Sequence, residues 1–294
     1  MQQFDIFLYS PALCTIFAGF VGLLVGSFLN VVIYRLPVMM QRGWRRDCIE
    51  YLGLDAQTYG LSGQDGVFNL VLPLSRCPNC RAPIKPYQNI PVVSYVLLKG
   101  QCAACQAPIP LRYPLVEAFT GLASALVAWH FGYSALTAFA LLLTWSLIAL
   151  SFIDIDHQLL PDSIILPLMW LGLLLSLSGL FTDAHASIIG AAAGYLVLWS
   201  VYHLFKLLTG KEGMGYGDFK LLALLGAWLG WQYLPMIILL SSLVGAVFGT
   251  LMIVLSRQDR NKPIPFGPYL AAAGWIALLW GKEINQLYLS TAGL

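Results

Sequence analysis

The chain has 294 residues, of which 59% are hydrophobic and only 10% carry a charged side chain; its formal net charge is +2. A typical soluble domain is about 45–50% apolar and about 25% charged, so this composition excludes an ordinary soluble domain. The same apolar excess excludes disordered, collagen-like and coiled-coil chains. We therefore expect an integral membrane protein built of helices.

Apolar segments long enough to cross a bilayer recur along the chain. A membrane helix needs roughly 20 mostly apolar residues. Six segments have about this length, and two shorter ones, Leu221–Leu234 and Pro265–Gly281, complete a set of eight. The six are Leu13–Tyr34, Pro114–Tyr133, Ser134–Ile153, Ser163–Thr182, Ala186–Phe205 and Met236–Leu255. The sequence predicts an all-α polytopic membrane protein with about eight transmembrane helices.

Basic residues are unevenly distributed between the loops. If eight helices alternate across the membrane, 15 of the 16 Lys and Arg residues fall on one side and only Lys282 falls on the other. The positive-inside rule makes the basic side cytoplasmic, so both termini are expected on the opposite side. The N-terminus lacks the basic residues of a signal peptide, which favours a retained first span. The 15 are Arg35, Arg42, Arg45, Arg46, Arg76, Arg81, Lys85, Lys99, Arg112, Lys206, Lys211, Lys220, Arg257, Arg260 and Lys262.

A long polar segment after the first predicted span carries two Cys-x-x-Cys pairs. Cys77 and Cys80 are separated by 21 residues from Cys102 and Cys105, and each pair is followed by x-Ala-Pro-Ile. This spacing is typical of tetrahedral zinc sites, because a two-residue spacer directs both sulfurs at one ion. Four thiolates leave no open position, so we expect structural zinc. Two disulfides or a redox pair are the alternative, which a reducing cytoplasm disfavours.

Acidic residues at the ends of the spans are the candidates for chemistry, because charges in or beside a membrane are costly. Asp154, Asp156 and Asp162 lie between the third and fourth predicted spans, and Asp218 begins the sixth. Two close carboxylates share a proton, so one can take a proton from water while the other polarises a carbonyl. The residues alone leave open which acid pairs with Asp218. Asp162 also suits a helix N-cap, and Glu117 could lie near the group.

Two other functions stay open on the residues alone. A carboxylate-dependent membrane transporter with a zinc-stabilised cytoplasmic module would also need acids near the bilayer. The other is a non-enzymatic platform that holds other membrane proteins through its helices. The sequence contains neither H-E-x-x-H nor G-x-S-x-G, which argues against a zinc metalloprotease and a serine hydrolase of the usual kinds.

Several motifs together resemble those of the type IV prepilin peptidases, also called leader peptidases with N-methyltransferase activity. Gly217-Asp218, within Gly-Tyr-Gly-Asp-Phe-Lys, is similar to the GxGD motif of membrane aspartyl proteases. The similarity runs nearly end to end and includes residues 26–37, 112–117 and 265–270. The four-cysteine insert is similar to that of the bifunctional bacterial members.

The resemblance implies a function and a set of site residues. Asp154 and Asp218 correspond to the family's catalytic pair, and Cys77, Cys80, Cys102 and Cys105 correspond to its zinc ligands. The implied substrates are type IV prepilins and the pseudopilins of type II secretion, cleaved at the cytoplasmic face of the bacterial inner membrane. The new N-terminal residue is then N-methylated with S-adenosylmethionine, for which no binding residues can be named. Apart from these substrates and the lipid bilayer, no nucleic-acid partner is expected.

These expectations divide the chain into three parts. Residues 1–37 form the first transmembrane helix, and residues 38–112 form a small cytoplasmic zinc-binding insert. Residues 113–294 form a seven-helix membrane bundle that carries the aspartyl protease site. The multi-pass topology places both termini in the periplasm.

Overall fold

A computed structural model describes residues 10–54, 68–256 and 265–292 of the chain. Within these ranges the regular structure is helical, with two isolated β-bridges and no strand. The α-helices are α1 (Pro11–Tyr51), α2 (Val93–Leu97), α3 (Arg112–Phe131), α4 (Ala135–His157), α5 (Asp162–Ser176), α6 (Ala184–Thr209), α7 (Tyr216–Leu229), α8 (Leu234–Ser256) and α9 (Gly267–Ala292).

The helices confirm the expected all-α membrane class. Each of the eight predicted apolar segments falls on a different long helix. Among the described residues, four segments are long and apolar enough to cross a membrane: Pro11–Tyr51, Ala135–His157, Ala184–Thr209 and Trp231–Leu251. The exact number of crossings stays a prediction. Three of the basic residues used for that prediction, Arg257, Arg260 and Lys262, lie outside the described residues.

The first helix extends far beyond its apolar part. α1 has 41 residues and continues past Tyr34, through Pro37, to Tyr51. Hydropathy marks the part of a helix that suits lipid and does not mark where the helix ends. The buried Arg35 lies at the transition, where its guanidinium donates to the carbonyls of Asn69 (2.9 Å) and Pro73 (2.6 Å). The boundary predicted between residues 37 and 38 therefore lies inside a continuous helix.

The chain forms two compact units, Met1–Tyr133 and Ser134–Leu294. In the first unit α1 packs against α3 through small residues. A Cβ added at Gly22 would lie 2.6 Å from Ser124 Cβ, and one added at Gly26 would lie 2.8 Å from Glu117 Cα. Small residues let helix backbones approach closely, which is how membrane helices gain packing energy where lipid supplies no hydrophobic force between them.

The second unit is built around α7, a helix of only 14 residues. It contacts α5, α6 and α9, and every residue from Leu221 to Leu229 is buried. A helix enclosed on all sides is apolar on every face, which explains the continuous apolar sequence of α7. At 14 residues this run is too short to span a bilayer. Gly194 of α6 permits close approach, since a Cβ there would lie 2.6 Å from the carbonyl oxygen of Leu222.

Candidate aspartyl site and metal centre

Two of the predicted acids are buried together in the second unit. Asp154 lies in the last turn of α4 and is 5% exposed, and Asp218 lies in the first turn of α7 and is 6% exposed. Leu160 borders the backbone next to each of them, so the two acids lie in the same part of this unit. A buried pair of acids is costly unless hydrogen bonds or a shared proton compensate. This arrangement is therefore a candidate for chemistry.

The Asp154 carboxylate is fixed by the start of α9. The backbone N–H of Gly267 donates a 3.0 Å hydrogen bond to Asp154 Oδ2. An N–H at a helix N-terminus has no partner within its helix, so it is a good donor to an anionic oxygen. A Cβ at position 267 would lie 2.7 Å from the same oxygen. Gly267 thus allows a backbone contact that a larger residue would obstruct.

The Asp218 carboxylate has a buried oxygen without a hydrogen-bond partner in the described part of the chain. The Asp218 N–H donates a 3.2 Å hydrogen bond to the carbonyl of Gly215, the N-cap of α7. The side-chain oxygen Oδ1 is buried and has no hydrogen-bond partner among the described residues. A buried acceptor without a partner is rare in folded proteins and points to a water, proton or substrate group. Asp218 Oδ1 is therefore available to a water, a proton or a substrate group, whereas Asp154 Oδ2 already accepts a backbone hydrogen bond.

The side chain of Leu160 fills the space beside both acids. A Cβ at Gly217, directly before Asp218, would lie 2.7 Å from Leu160 Cβ. A Cβ at Gly267 would lie 3.2 Å from Leu160 Cδ2. Leu160 thus contacts both glycines and joins the loop after α4 to the starts of α7 and α9. The two glycines permit this packing because neither carries a side chain.

The structure separates the other acids from this pair. Asp156 and Asp162 are exposed, in contrast to Asp154. Lys220 Nζ lies 2.8 Å from Asp162 Oδ1 and 2.7 Å from Asp162 Oδ2. The N-cap of α5 is Pro161, so the N-cap interpretation of Asp162 is wrong. Burial therefore distinguishes three acids that sequence could not rank.

Glu117 has a local contact in the first unit. Its Oε2 accepts a 2.8 Å hydrogen bond from the backbone N–H of Val92. Val92 has φ 60° and ψ −47°, and the Val93 N–H bonds to the Pro91 carbonyl at 2.6 Å. This is a γ-turn of the rare positive-φ type, which is strained for a β-branched residue. Glu117 therefore supports an unfavourable turn at the start of α2.

The four predicted cysteine ligands form one cluster. The Sγ atoms of Cys77, Cys80, Cys102 and Cys105 all lie within 4.8 Å of one another, and Cys77 Sγ lies 3.8 Å from Cys105 Sγ. Tetrahedral zinc with Zn–S bonds of about 2.3 Å separates its sulfurs by about 3.8 Å. The donor set and its spacing therefore fit a four-coordinate metal. The six cysteines of the chain form no disulfide.

The two halves of the cluster have the same backbone structure. The Cys77 N–H bonds to the Ala82 carbonyl at 3.0 Å, and the Cys102 N–H bonds to the Ala107 carbonyl at 2.9 Å. Isolated β-bridges close the two turns at matching positions, and each turn has one non-glycine residue with positive φ. These residues are Arg81 and Gln106. The short sequence repeat thus corresponds to two equivalent knuckles, each presenting two sulfurs.

Backbone N–H groups in the knuckles favour thiolates. The Ala107 N–H, followed by the Asn79 side chain, lowers the pKa of the Cys105 thiol to about 6. The N–H groups of Cys80 and Asn79 lower the pKa of Cys77. Thiolates are the metal-binding form of cysteine. The local backbone therefore prepares these two ligands before any ion binds.

Sequence reasoning missed three residues at the aspartyl site: Leu160, Lys220 and Gly267. Gly267 belongs to the Pro-Phe-Gly-Pro segment that contributes to the family resemblance, but its position gave no role. Lys220 lies two residues after Asp218, and the sequence analysis used it only as one of the basic residues that indicate topology. The contacts of all three join distant segments, so no local pattern reports them.

These observations define the class of the protein: an all-helical membrane protein with two buried aspartates at helix ends and a four-cysteine cluster. The chain belongs to the type IV leader peptidase family, whose profile matches residues 141–250. Residues 20–131 match the family described as the bacterial peptidase A24 N-terminal domain. The two matches fall within the two compact units, respectively the second and the first.

Curated relatives are similar over nearly their whole length. A protein of Stutzerimonas stutzeri is 58% identical over 98% of both chains. A protein of Pseudomonas aeruginosa is 58% identical over 96% of this chain and 94% of its own. A protein of Aeromonas salmonicida is 57% identical over 92% of each. All three are named prepilin leader peptidase/N-methyltransferase. No solved structure matches the chain significantly.

Proposed function

We propose that this chain cleaves the leader peptide of type IV prepilins and of type II secretion pseudopilins and then N-methylates the new N-terminal residue. Family membership and the names of the relatives support both activities. The single observation that carries the cleavage mechanism is the adjacent burial of Asp154 and Asp218, with Asp218 Oδ1 unpartnered.

The cleavage step follows from a shared proton. When two carboxylates lie close together one is ionised and the other protonated. The ionised carboxylate takes a proton from a water whose oxygen forms a bond to the scissile carbonyl carbon, while the protonated one donates to the carbonyl oxygen. The tetrahedral intermediate then breaks its C–N bond, and the departing amine takes a proton. A new carboxyl terminus and a new amino terminus result, with no covalent enzyme intermediate.

The environments of the two acids suggest how their roles divide. Gly267 N–H holds Asp154 Oδ2, a bond that stabilises an ionised oxygen. Within the described ranges of the chain Asp218 Oδ1 has no hydrogen-bond partner, and it is placed to carry the proton that the substrate carbonyl needs. We therefore assign Asp154 as the base that activates water and Asp218 as the acid. Both act near the end of a helix, where a hydrophobic substrate helix can arrive sideways through lipid.

The cysteine cluster is assigned to zinc with a structural role. Cys77, Cys80, Cys102 and Cys105 would hold the ion, and four thiolates leave no position for water or substrate. Zinc bound there would supply folding energy to a polar segment, residues 38–112, that has little apolar core of its own. The cluster and the aspartates belong to different units, so no catalytic role for the metal is proposed.

The topology proposal places the site on the cytoplasmic face of the inner membrane. Fifteen of the 16 basic residues lie on one side when eight spans alternate, and that side carries both the cysteine insert and the ends of α4 and α7 that hold the aspartates. Both termini are then periplasmic. The membrane bundle is taken as residues 113–294, with the first helix in 1–37. Tags at either terminus should accordingly be reached only by periplasmic probes.

Methyl transfer would use S-adenosylmethionine as the second substrate. The new amine attacks the methyl carbon of the sulfonium, the carbon–sulfur bond breaks, and the amine loses a proton. No residue of the chain is assigned to the methyl donor. A carboxylate-dependent transporter has no observation in its favour, since the acids lie at helix ends and the relatives are named as enzymes.

A single assay tests the proposal. Purified protein in detergent receives a prepilin with its leader intact, and mass spectrometry reads the product with and without S-adenosylmethionine. We expect loss of the leader in both cases and the added mass of one methyl group only with the donor. Asp154→Asn and Asp218→Asn should each leave the leader in place. Wild-type processing by either variant would refute the aspartyl pair, and cleavage without methylation would refute the second activity.

A further inference from the structure

An ion pair fastens the loop after Asp154 to the helix that carries Asp218. Lys220 Nζ contacts both carboxylate oxygens of Asp162, at 2.8 Å and 2.7 Å. Asp162 is the first residue of α5, at the end of the loop that follows α4. Lys220 lies two residues beyond Asp218 in the first turns of α7. The contact therefore joins the two segments whose separation determines the distance between the buried acids.

The ion pair and Leu160 form two attachment points for the same loop. Leu160 packs over Gly217 and beside Gly267 next to the acids, and Asp162 pairs with Lys220 further along α7. Trp228 Nε1 of α7 also donates a 2.8 Å hydrogen bond to the Leu168 carbonyl of α5, which fixes the more distant part of α5 on α7. The ion pair at Asp162 is the hydrogen-bonded contact at the end of α5 nearest the acids, where it holds the loop. Together with Leu160 it defines the register between this loop and the start of α7.

The exposure of the pair indicates that it adds little to overall stability. The side chains of Lys220 and Asp162 are 31% and 51% exposed. Exposed ion pairs contribute a small amount to the free energy of unfolding because solvent screens them and both side chains lose entropy. Catalysis is far more sensitive to position, since a misplacement of about 1 Å can lower a rate about a hundredfold. The effect of this pair should therefore appear in the rate and hardly in the stability.

We propose that the Asp162–Lys220 ion pair is a positioning pair for peptide cleavage: it holds the loop after α4 against the start of α7 and so sets the distance between Asp154 and Asp218. The proposal rests on the proposed aspartyl function. Neither side chain touches the substrate or supplies a proton. Asp162 therefore matters for cleavage through its position, although it is not a member of the proposed catalytic pair.

The chain offers a matched control pair. Lys206 and Glu212 also belong to the second unit, and Lys206 Nζ lies 2.7 Å from Glu212 Oε1. Their side chains are 45% and 68% exposed, and the pair joins the last turn of α6 to the loop that follows it. Removal of this pair deletes one exposed ion pair of the same chemistry and length without touching the loop after α4.

The test variants are Asp162→Asn, Lys220→Gln, their double variant and the reversed pair Asp162→Lys/Lys220→Asp. The control variants are Lys206→Gln and Glu212→Gln. The readouts are kcat and KM for prepilin cleavage, the midpoint of thermal unfolding, and methylation of a pilin peptide that lacks its leader. We expect kcat to fall about tenfold to a hundredfold in each single variant, with KM, methylation and the midpoint nearly unchanged. The double variant should lose no more than the single variants, because both break one interaction. The reversed pair should recover most of kcat, and the control variants should match wild type.

Other results would argue against the positioning role of the Asp162–Lys220 pair. Wild-type kcat in the single variants, or equal losses in cleavage, methylation and unfolding midpoint, would overturn the positioning role. If a single variant does not fold, the folded reversed pair carries the test: recovered kcat supports the role and lost kcat overturns it. Asp154→Asn and Asp218→Asn, measured alongside, separate this result from failure of the aspartyl function, which would appear as cleavage by those variants.

Discussion

The backbone N–H of Gly267 donates a 3.0 Å hydrogen bond to Asp154 Oδ2 across 113 positions of the chain. The bond joins the last turn of α4 to the first residue of α9. Because the donor is a main-chain group at a helix start, the carboxylate is held by the fold itself and not by a mobile side chain. Such fixed donors stabilise the ionised carboxylate at no cost in reorganisation.

Substitution of Gly267 tests this contact. A Cβ at position 267 would lie 2.7 Å from Asp154 Oδ2, so Gly267→Ala should displace the carboxylate and lower kcat for cleavage about a hundredfold. The control is Gly43→Ala, where an added Cβ meets nothing within 4 Å. Steady-state cleavage kinetics provide the measurement. Unchanged kcat in Gly267→Ala would show that Asp154 does not need its present position.

The packing of Leu160 against Gly217 makes a second prediction. Gly217→Ala places a Cβ 2.7 Å from Leu160 Cβ and should push the loop away from Asp218. Cleavage should fall, whereas the double variant Gly217→Ala/Leu160→Gly should recover part of the rate, because the Cβ that obstructs the new methyl group is gone. Rates of both variants beside Leu160→Gly measure the coupling. Strict additivity of the losses would contradict a direct contact.

Asp154 and its neighbour Asp156 should differ sharply in their effect on cleavage. Asp154→Asn removes the buried, backbone-bonded carboxylate and should abolish leader removal. Asp156→Asn alters an exposed side chain two positions away and should leave the rate within about twofold of wild type, as is usual for surface changes. A gel-shift assay for the shortened pilin distinguishes them. The aspartyl assignment fails if Asp156→Asn is the inactive variant.

The cysteine cluster predicts one metal ion per chain. Cys77→Ser removes a ligand whose Sγ lies 3.8 Å from Cys105 Sγ, so purified protein should lose stoichiometric zinc. Cys48→Ser alters an exposed cysteine outside the cluster and should retain it. Elemental analysis of both variants gives the answer. Chelation should lower the unfolding midpoint of wild type and Cys48→Ser, with little effect on Cys77→Ser, because bound metal stabilises the fold.

Glycine should be tolerated better at position 92, in the turn held by Glu117, than at position 93. Val92 has φ 60°, so Val92→Gly relieves steric strain that offsets the entropy glycine loses on folding. Val93 begins α2, where Val93→Gly should destabilise because glycine is a poor helix former. Val92→Gly should therefore unfold at the higher temperature of the two. Equal midpoints would indicate that the turn is unstrained in the membrane-bound protein.

Sequence alone predicted the elements that depend on local pattern. The apolar runs located the long helices, and the Cys-x-x-Cys spacing located the cluster, because hydrophobicity and short spacing are local properties. The ends of helices were less well predicted: residues 163–182 were expected as one span, yet α5 ends at Ser176 before a turn at Gly179, which has φ 65°. Solubility in lipid does not determine where a backbone stops being helical.

The aspartyl site shows where local pattern fails. Asp154, Asp156 and Asp162 are chemically equivalent in the sequence, and only contacts with Gly267, Leu160 and α7 separate them. A contact across 113 positions leaves no trace in the residues on either side of the acid. Resemblance to a family singled out Asp154, and burial in the folded chain supplies the physical reason.

The length of α1 has a consequence for how the protein adapts to its membrane. At 41 residues the helix is about 62 Å long, about twice the thickness of a bilayer core. The Arg35 guanidinium binds the carbonyls of Asn69 and Pro73, so the segment that follows is fastened to the helix where its apolar part ends. A tilt of the apolar part, by which a long helix adapts to a thinner bilayer, therefore also moves the point at which the insert is attached.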